Sequence, residues 1–357
     1  MENYGVYLPQ YTIGDGNVYE AIPTVCKSYG KTACVIGGET ALKKAGDAIK
    51  AGAGDAITLT GFIPYGGDSC ECNIEALYQN ETVREADMIF AVGGGRAVDT
   101  CKVVGDRLDK PVFTFPTIAS NCAPITKVCV VYHDDHSMKG LYWAQRPPIH
   151  TFINTKIIGE APIEYLWAGI GDALSKQYES TFKARGKALN HSNRLGVDIA
   201  SHCAADLLKH GKKALSDCKA GIVGDDLALV ILTIIINTGL VSVLVDNVYN
   251  SALAHSFYYG CTHFPHIEKN HLHGELVAYG ILLLLAMDEQ TEAFEEVYAF
   301  NQSINLPTSY TQVELAPEHF DELIAATLAT GDVVDSPYEI TKERILKAFD
   351  VIESYQK

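Results

Sequence analysis

The chain has 357 residues, enough at roughly 150 per domain for two domains and a sizeable core. Apolar residues make up 47% and charged residues 20%, which excludes a disordered chain or a coiled coil. With 28 basic against 44 acidic side chains, the net charge of −16 repels phosphate backbones and anionic lipid, so neither nucleic acid nor a membrane surface is an expected partner.

The opening residues, MENYGVYLPQYTIGDG, carry no basic stretch followed by an apolar run, so no secretory signal is read there. The ten cysteines include no C-x-x-C pair, which argues against zinc ribbons and thioredoxin-like motifs. Thiols without a secretion signal fit a reducing cytoplasm, the expected location. Lys31–Ile36 (KTACVI) then predicts a strand, Gly37-Gly38 a turn and Glu39–Ala51 a helix. Asp55–Phe62 predicts a second strand, Asn73–Glu85 has helical spacing, and Met88–Val92 (MIFAV) predicts a third strand. Gly93-Gly94-Gly95 leads into a helix over Arg96–Leu108, and Pro111–Phe115 predicts a fourth strand. Strand, glycine turn, helix and strand in repetition is the pattern of parallel βαβ units. Lys127–Tyr132 and Ile149–Asn154 add strands on either side of the polar turn 133–137, and a hairpin between them is expected.

After about Ile158 strand runs vanish, and Ala161–Ser180, Ser192–Leu215, Asp225–Tyr249 and Gly274–Phe294 carry helical periodicity. The expected division is an α/β domain over 1–160, built on a parallel sheet, and an all-helical domain over 161–357. A ligand cleft is expected between them, beside the carboxyl ends of the strands. Leu227–Val245 is nearly long enough to span a bilayer, but Asn237, Gly239 and Ser242 interrupt it and its flanks Asp225, Asp226 and Asp246 offer no basic anchor. It reads as a core helix.

Three segments carry chemistry. Gly93-Gly94-Gly95-Arg96-Ala97-Val98-Asp99 sits at a strand-to-helix turn, where contiguous glycines let a pyrophosphate approach exposed N–H groups. Alone, it reads equally as a flexible turn. Thr117 to Pro124 (TIASNCAP) offers small hydroxyls that can bond a cofactor or simply cap a turn. Asp172, His255 and His273 are metal-competent, and one carboxylate with two imidazoles and an open fourth position is a catalytic zinc arrangement. Of the 12 histidines, His255, His263, His266, His271 and His273 crowd one segment, and His263, His266 and His271 read as surface groups or partners of a ligand.

Taken together, GGGRAVDTCK, PTIASNCAP, AGIGDALSK, LAHSF and HLHGELVAYG resemble, in order, the motifs of the glycerol dehydrogenase branch of the iron-containing alcohol dehydrogenase superfamily. The resemblance implies that Asp172, His255 and His273 hold a divalent metal, zinc with iron as the alternative. It places Gly94, Gly95, Arg96 and Asp99 on the cofactor phosphates, and Thr117, Ser120, Thr126, Val128 and Tyr132 on further cofactor contacts. It also implies that the domain over 1–160 binds the dinucleotide, that the domain over 161–357 holds metal and substrate, and that the chain forms a homo-oligomer.

Four departures bear on chemistry. Cys122 stands where the glycerol enzymes carry an Asp that touches the polyol; a hydroxycarboxylate branch has Cys there, and an anionic substrate avoids a carboxylate at that point. Tyr258 replaces a frequent second His, and Lys176 replaces the His that gives the iron branch a fourth ligand. Gly38 replaces the Asp that meets the adenosine ribose, with Glu39 next to it, so NADP stands beside NAD as the cofactor. The implied chemistry is reversible hydride transfer between a small polyol or 2-hydroxy acid and the nicotinamide. The alternatives are a dehydroquinate synthase-like or glycerol-1-phosphate dehydrogenase-like enzyme, for which basic residues near the ligand segments are few, and a non-catalytic cofactor-binding relative.

Overall fold

A computed structural model of the chain describes residues 5–135 and 137–355. Packing divides it into two units, one running to Tyr165 and including Asp217–Ile231, the other Leu166–Ser216 with the chain from Leu232 on. The contiguous division expected at residue 160 therefore differs from the packing. Residues 217–231 return to the first unit because Leu227 and Val223 close over Gly159, where a side chain would stand 3.0 and 3.4 Å from them.

The first unit is built on a six-stranded parallel sheet in the order β1-β8-β5-β4-β2-β3. The strands are β1 (Gln10–Gly14), β2 (Thr32–Gly37), β3 (Thr58–Pro64), β4 (Met88–Gly93), β5 (Val112–Pro116) and β8 (His150–Asn154). The central strands are buried along their whole length, which is why MIFAVG and VFTFP read as unbroken apolar runs. Alternate side chains feed two cores. Val35, Phe90, Val92, Phe113, Phe115 and Phe152 pack on one face, and Cys34, Ile36, Ile89, Ala91 and Val104 on the other.

β6 (Val128–Tyr132) and β7 (Met138–Trp143) form a separate antiparallel pair. This corrects the expected hairpin: the partner of β6 is β7, and β8 pairs in parallel with β1 and β5 instead. His136, in the turn read between the strands, lies outside the described residues. Among the described residues no strand follows β8, so the expected switch to helices holds. Three of the long helical readings are interrupted. His191–Ala200 and Cys203–Lys219 part at Ser201-His202, and His273–Met287 ends before Thr291–Ile304 at Glu289, whose φ is +56°. The run from Asp225 to Leu244 passes through a π-helical turn at Thr233–Asn237. It is long and apolar enough to cross a membrane, yet Leu227, Val230, Ile231, Ile234, Ile235 and Val241 are fully buried in the protein, as a core helix requires.

Candidate metal centre and dinucleotide edge

In the second unit, helix Ile163–Ala184 crosses helix His273–Met287 backbone to backbone. A methyl on Gly171 would stand 2.3 Å from the Gly274 carbonyl oxygen, and one on Gly274 1.9 Å from that of Ala168. Only glycine permits this approach, and it sets Asp172 and His273, each the next residue along or before, beside one another. His273 Nε2 lies 3.0 Å from Asp172 Oδ1, and His255 Nε2, from helix Leu253–Cys261, lies 3.6 Å from the same oxygen. The three residues offer ligand atoms within 4.8 Å of one another. Tetrahedral ligands about 2.1 Å from a divalent ion stand about 3.4 Å apart, so this donor set fits one.

Electrostatics agree with the geometry. Burial raises the Asp172 carboxyl, but His273 and His255 outweigh it and hold the group well below the usual carboxylate range. Burial lowers His255, but Glu179 and Asp172 push it up to about 10. The buried carboxylates of Asp172 and Glu179 thus favour positive charge at this site.

Sequence reasoning missed Glu179. Its buried carboxylate accepts from His255 Nδ1 at 2.5 Å and from the backbone N–H groups of Ala252 (2.8 Å) and His255 (3.0 Å). With Nδ1 engaged, Nε2 is the atom left for Asp172. The available signal was spacing: Glu179 follows Asp172 by seven residues, two turns along one helix face. Lys176, between them on that face, donates to the Asn250 carbonyl and side-chain oxygens, each at 3.0 Å. Tyr258 packs its ring edge-on to His273 with centroids 4.2 Å apart. His271 pairs with Glu275 at 3.0 Å, and His263 and His266 are exposed.

In the first unit, the carboxyl ends of β2, β4 and β5 align, with Gly37 opposite Val92 and Gly93 opposite Pro116. That register brings Gly38, Gly94, Gly95 and Thr117 to one edge. Gly93 has a φ of +144°, and no side chain caps helix Gly95–Arg107, which leaves its first N–H groups available to an anion. A side chain on Gly95 would meet Asn121 at 3.0 Å. Arg96 lies 3.5 Å from Asp68 and over the Tyr132 ring at 5.0 Å. Thr117, Ser120 and Cys122 are half-buried in the loop after β5. Gly38 precedes helix Glu39–Ala53, and Glu39 is exposed.

Asp99, expected among the cofactor residues, is engaged within the protein. It is buried, 2.8 Å from Lys102 Nζ, and accepts the Val130 N–H at 2.9 Å. Lys102 in turn donates to the carbonyls of Ala123, Thr126 and Val128. The Asp and Lys of this motif thus pin β6 and its approach loop to the helix, and Thr126 and Val128 take part through their backbones.

Residues 9–150 match the family model described as iron-containing alcohol dehydrogenase. The chain is 30% identical to a glycerol dehydrogenase of Thermotoga maritima over 82% of its own length and 81% of that protein's. It is 31% identical to hydroxycarboxylate dehydrogenase A of Escherichia coli K12, over 82% of each. A crystal structure of a probable glycerol dehydrogenase from Sinorhizobium meliloti 1021 superposes with a TM-score of 0.86 over 99% of this chain and 100% of that one, and at 24% identity it speaks for the fold. On these grounds the chain belongs to the iron-containing alcohol dehydrogenase family, in the branch of the glycerol dehydrogenases, and is an alcohol-oxidising and carbonyl-reducing enzyme.

Proposed function

We propose that this dehydrogenase interconverts a small polyol or 2-hydroxy acid with its carbonyl, using NAD or NADP, with zinc held by Asp172, His255 and His273. The observation that carries the proposal is the convergence of those three donors, with His255 aimed by a buried Glu179. A divalent ion there supplies Lewis acidity toward an alcohol oxygen. The protein's part is to fix the donors. Glu179 holds His255 in one orientation, Tyr258 sets the plane of His273, and Lys176 is spent on Asn250, which leaves three protein ligands and favours zinc over a four-ligand iron site.

The turn at Gly94-Gly95 suits the cofactor pyrophosphate, and Arg96 and Thr117 flank it. At position 38 a side chain would meet only Tyr65 Cε1 at 3.6 Å, so the carboxylate missing there is a matter of chemistry rather than of space. A 2′-phosphate meets no charge from residue 38, which is why we assign both dinucleotides. Cys122 carries no carboxylate to repel an acid substrate, which supports 2-hydroxy acids beside polyols. Ten free thiols fit a cytoplasmic enzyme, and a homo-oligomer is part of the same reading.

Initial rates with glycerol, other polyols and 2-hydroxy acids, each with NAD and with NADP, test the proposal. Turnover of at least one class with both cofactors is expected. A preference for NAD of roughly 100-fold, about 2.7 kcal/mol, would instead put Glu39 on the ribose.

A further inference from the structure

The loop after β3 gathers two thiols and a carboxylate to which the dehydrogenase reading gives no role. Cys70 Sγ and Cys72 Sγ are 2.8 Å apart. Asp134, in the turn between β6 and β7, joins them so that the three ligand atoms lie within 4.8 Å of one another. Cys70 is buried just ahead of helix Glu71–Gln79, while Cys72 in its first turn is exposed, so a solute reaches the pair from outside. Three acidic groups thus converge on one point. Two basic groups stand near: Glu71, between the cysteines, is held by Arg107 at 2.6 Å and Lys139 at 3.6 Å.

We propose that Cys70, Cys72 and Asp134 form a second metal site, binding one thiophilic divalent cation of the zinc class with a water as fourth ligand. The donor chemistry selects that class, since thiolates favour soft and borderline ions over magnesium or calcium. Zinc–sulfur bonds of about 2.3 Å at a tetrahedral centre set sulfurs about 3.8 Å apart. The pair opens by about 1 Å from its present separation, a movement that the exposed Cys72 provides by turning about its Cα–Cβ bond. Each thiol gives up one proton on binding. A disulfide between the cysteines would make no use of the Asp134 carboxylate, whereas a cation uses all three groups. The bound ion braces the hairpin turn against the helix, beside the hydrogen bond from the Tyr132 N–H to the Ser69 carbonyl at 2.9 Å.

The test is a cobalt titration of the reduced, full-length protein. Asp172, His255 and His273 offer only nitrogen and oxygen, so a thiolate-to-cobalt charge-transfer band reports this site and is silent on the other. The band is expected to saturate at a single cobalt per chain and to vanish in Cys72→Ser. In Asp134→Asn the affinity should fall roughly tenfold or more. Both positions are exposed, so the variants should keep the wild-type melting temperature without metal. No thiolate band in the wild type, or a band that persists in Cys72→Ser, overturns the proposal.

Discussion

Glu179 and His255 share a 2.5 Å hydrogen bond between a carboxylate with no solvent exposure and the imidazole Nδ1. One face of helix Ile163–Ala184 thereby supplies both a donor, Asp172, and the group that orients a second donor. Replacing Glu179 by Gln puts an amide against Nδ1 and frees the ring. Zinc affinity should fall roughly 10–100-fold, the usual effect of losing such a partner. Competition with a chromophoric chelator measures it. Unchanged affinity would separate Glu179 from the metal centre.

Gly274→Ala tests the helix crossing. Its methyl meets the Ala168 carbonyl, which is backbone and cannot swing aside. The substitution should cost roughly 1–3 kcal/mol of stability by overpacking and weaken zinc binding as Asp172 and His273 separate. Denaturant midpoints and metal content read the two effects. A stable Gly274→Ala protein with full zinc would contradict the crossing.

Cys122→Asp restores the carboxylate typical of glycerol enzymes. It should raise the ratio of kcat/KM for glycerol to that for lactate by roughly tenfold or more, about 1.4 kcal/mol, by repelling the acid. If the ratio does not move, residue 122 is no part of substrate choice.

His150 couples stability to pH. Its ring is buried in β8, with Nε2 2.8 Å from Thr12 Oγ1, and burial lowers its pKa from 6.5 to about 4. The folded protein refuses a proton that the unfolded chain accepts. Its contribution is therefore complete above pH 6.5 and lost as the pH falls toward about 4, by up to roughly 3 kcal/mol. In His150→Gln the stability difference between pH 7 and pH 4 should shrink by about that amount. Equal acid sensitivity in both proteins would rule this out.

The legible parts of the sequence were those where one local pattern decides the outcome. The buried strands β2 and β4 announce themselves as apolar runs before glycine turns, and β5 as an apolar run bounded by prolines. Pairing was less legible. β8 joins β1 across about 140 residues, and nothing local distinguishes that from a hairpin with β6. β1 itself escaped notice because QYTIG is a short, half-exposed edge strand with no apolar run. The internal partners of Asp99 were not legible, because its motif says nothing about Lys102 and Val130 closing over it. Glu179 was hidden among the many acidic residues of the chain, and its importance rests on a helix 76 residues away.

The central claim is that turnover depends on one metal held by Asp172, His255 and His273. Its most direct test follows nicotinamide absorbance in protein stripped with a chelator, verified for metal content and then given back zinc, alongside Asp172→Asn. Activity should vanish on stripping and return with zinc, and Asp172→Asn should lose roughly three orders of magnitude in kcat/KM, about 4 kcal/mol, and retain no zinc at this centre. Full activity in metal-free protein would contradict the account.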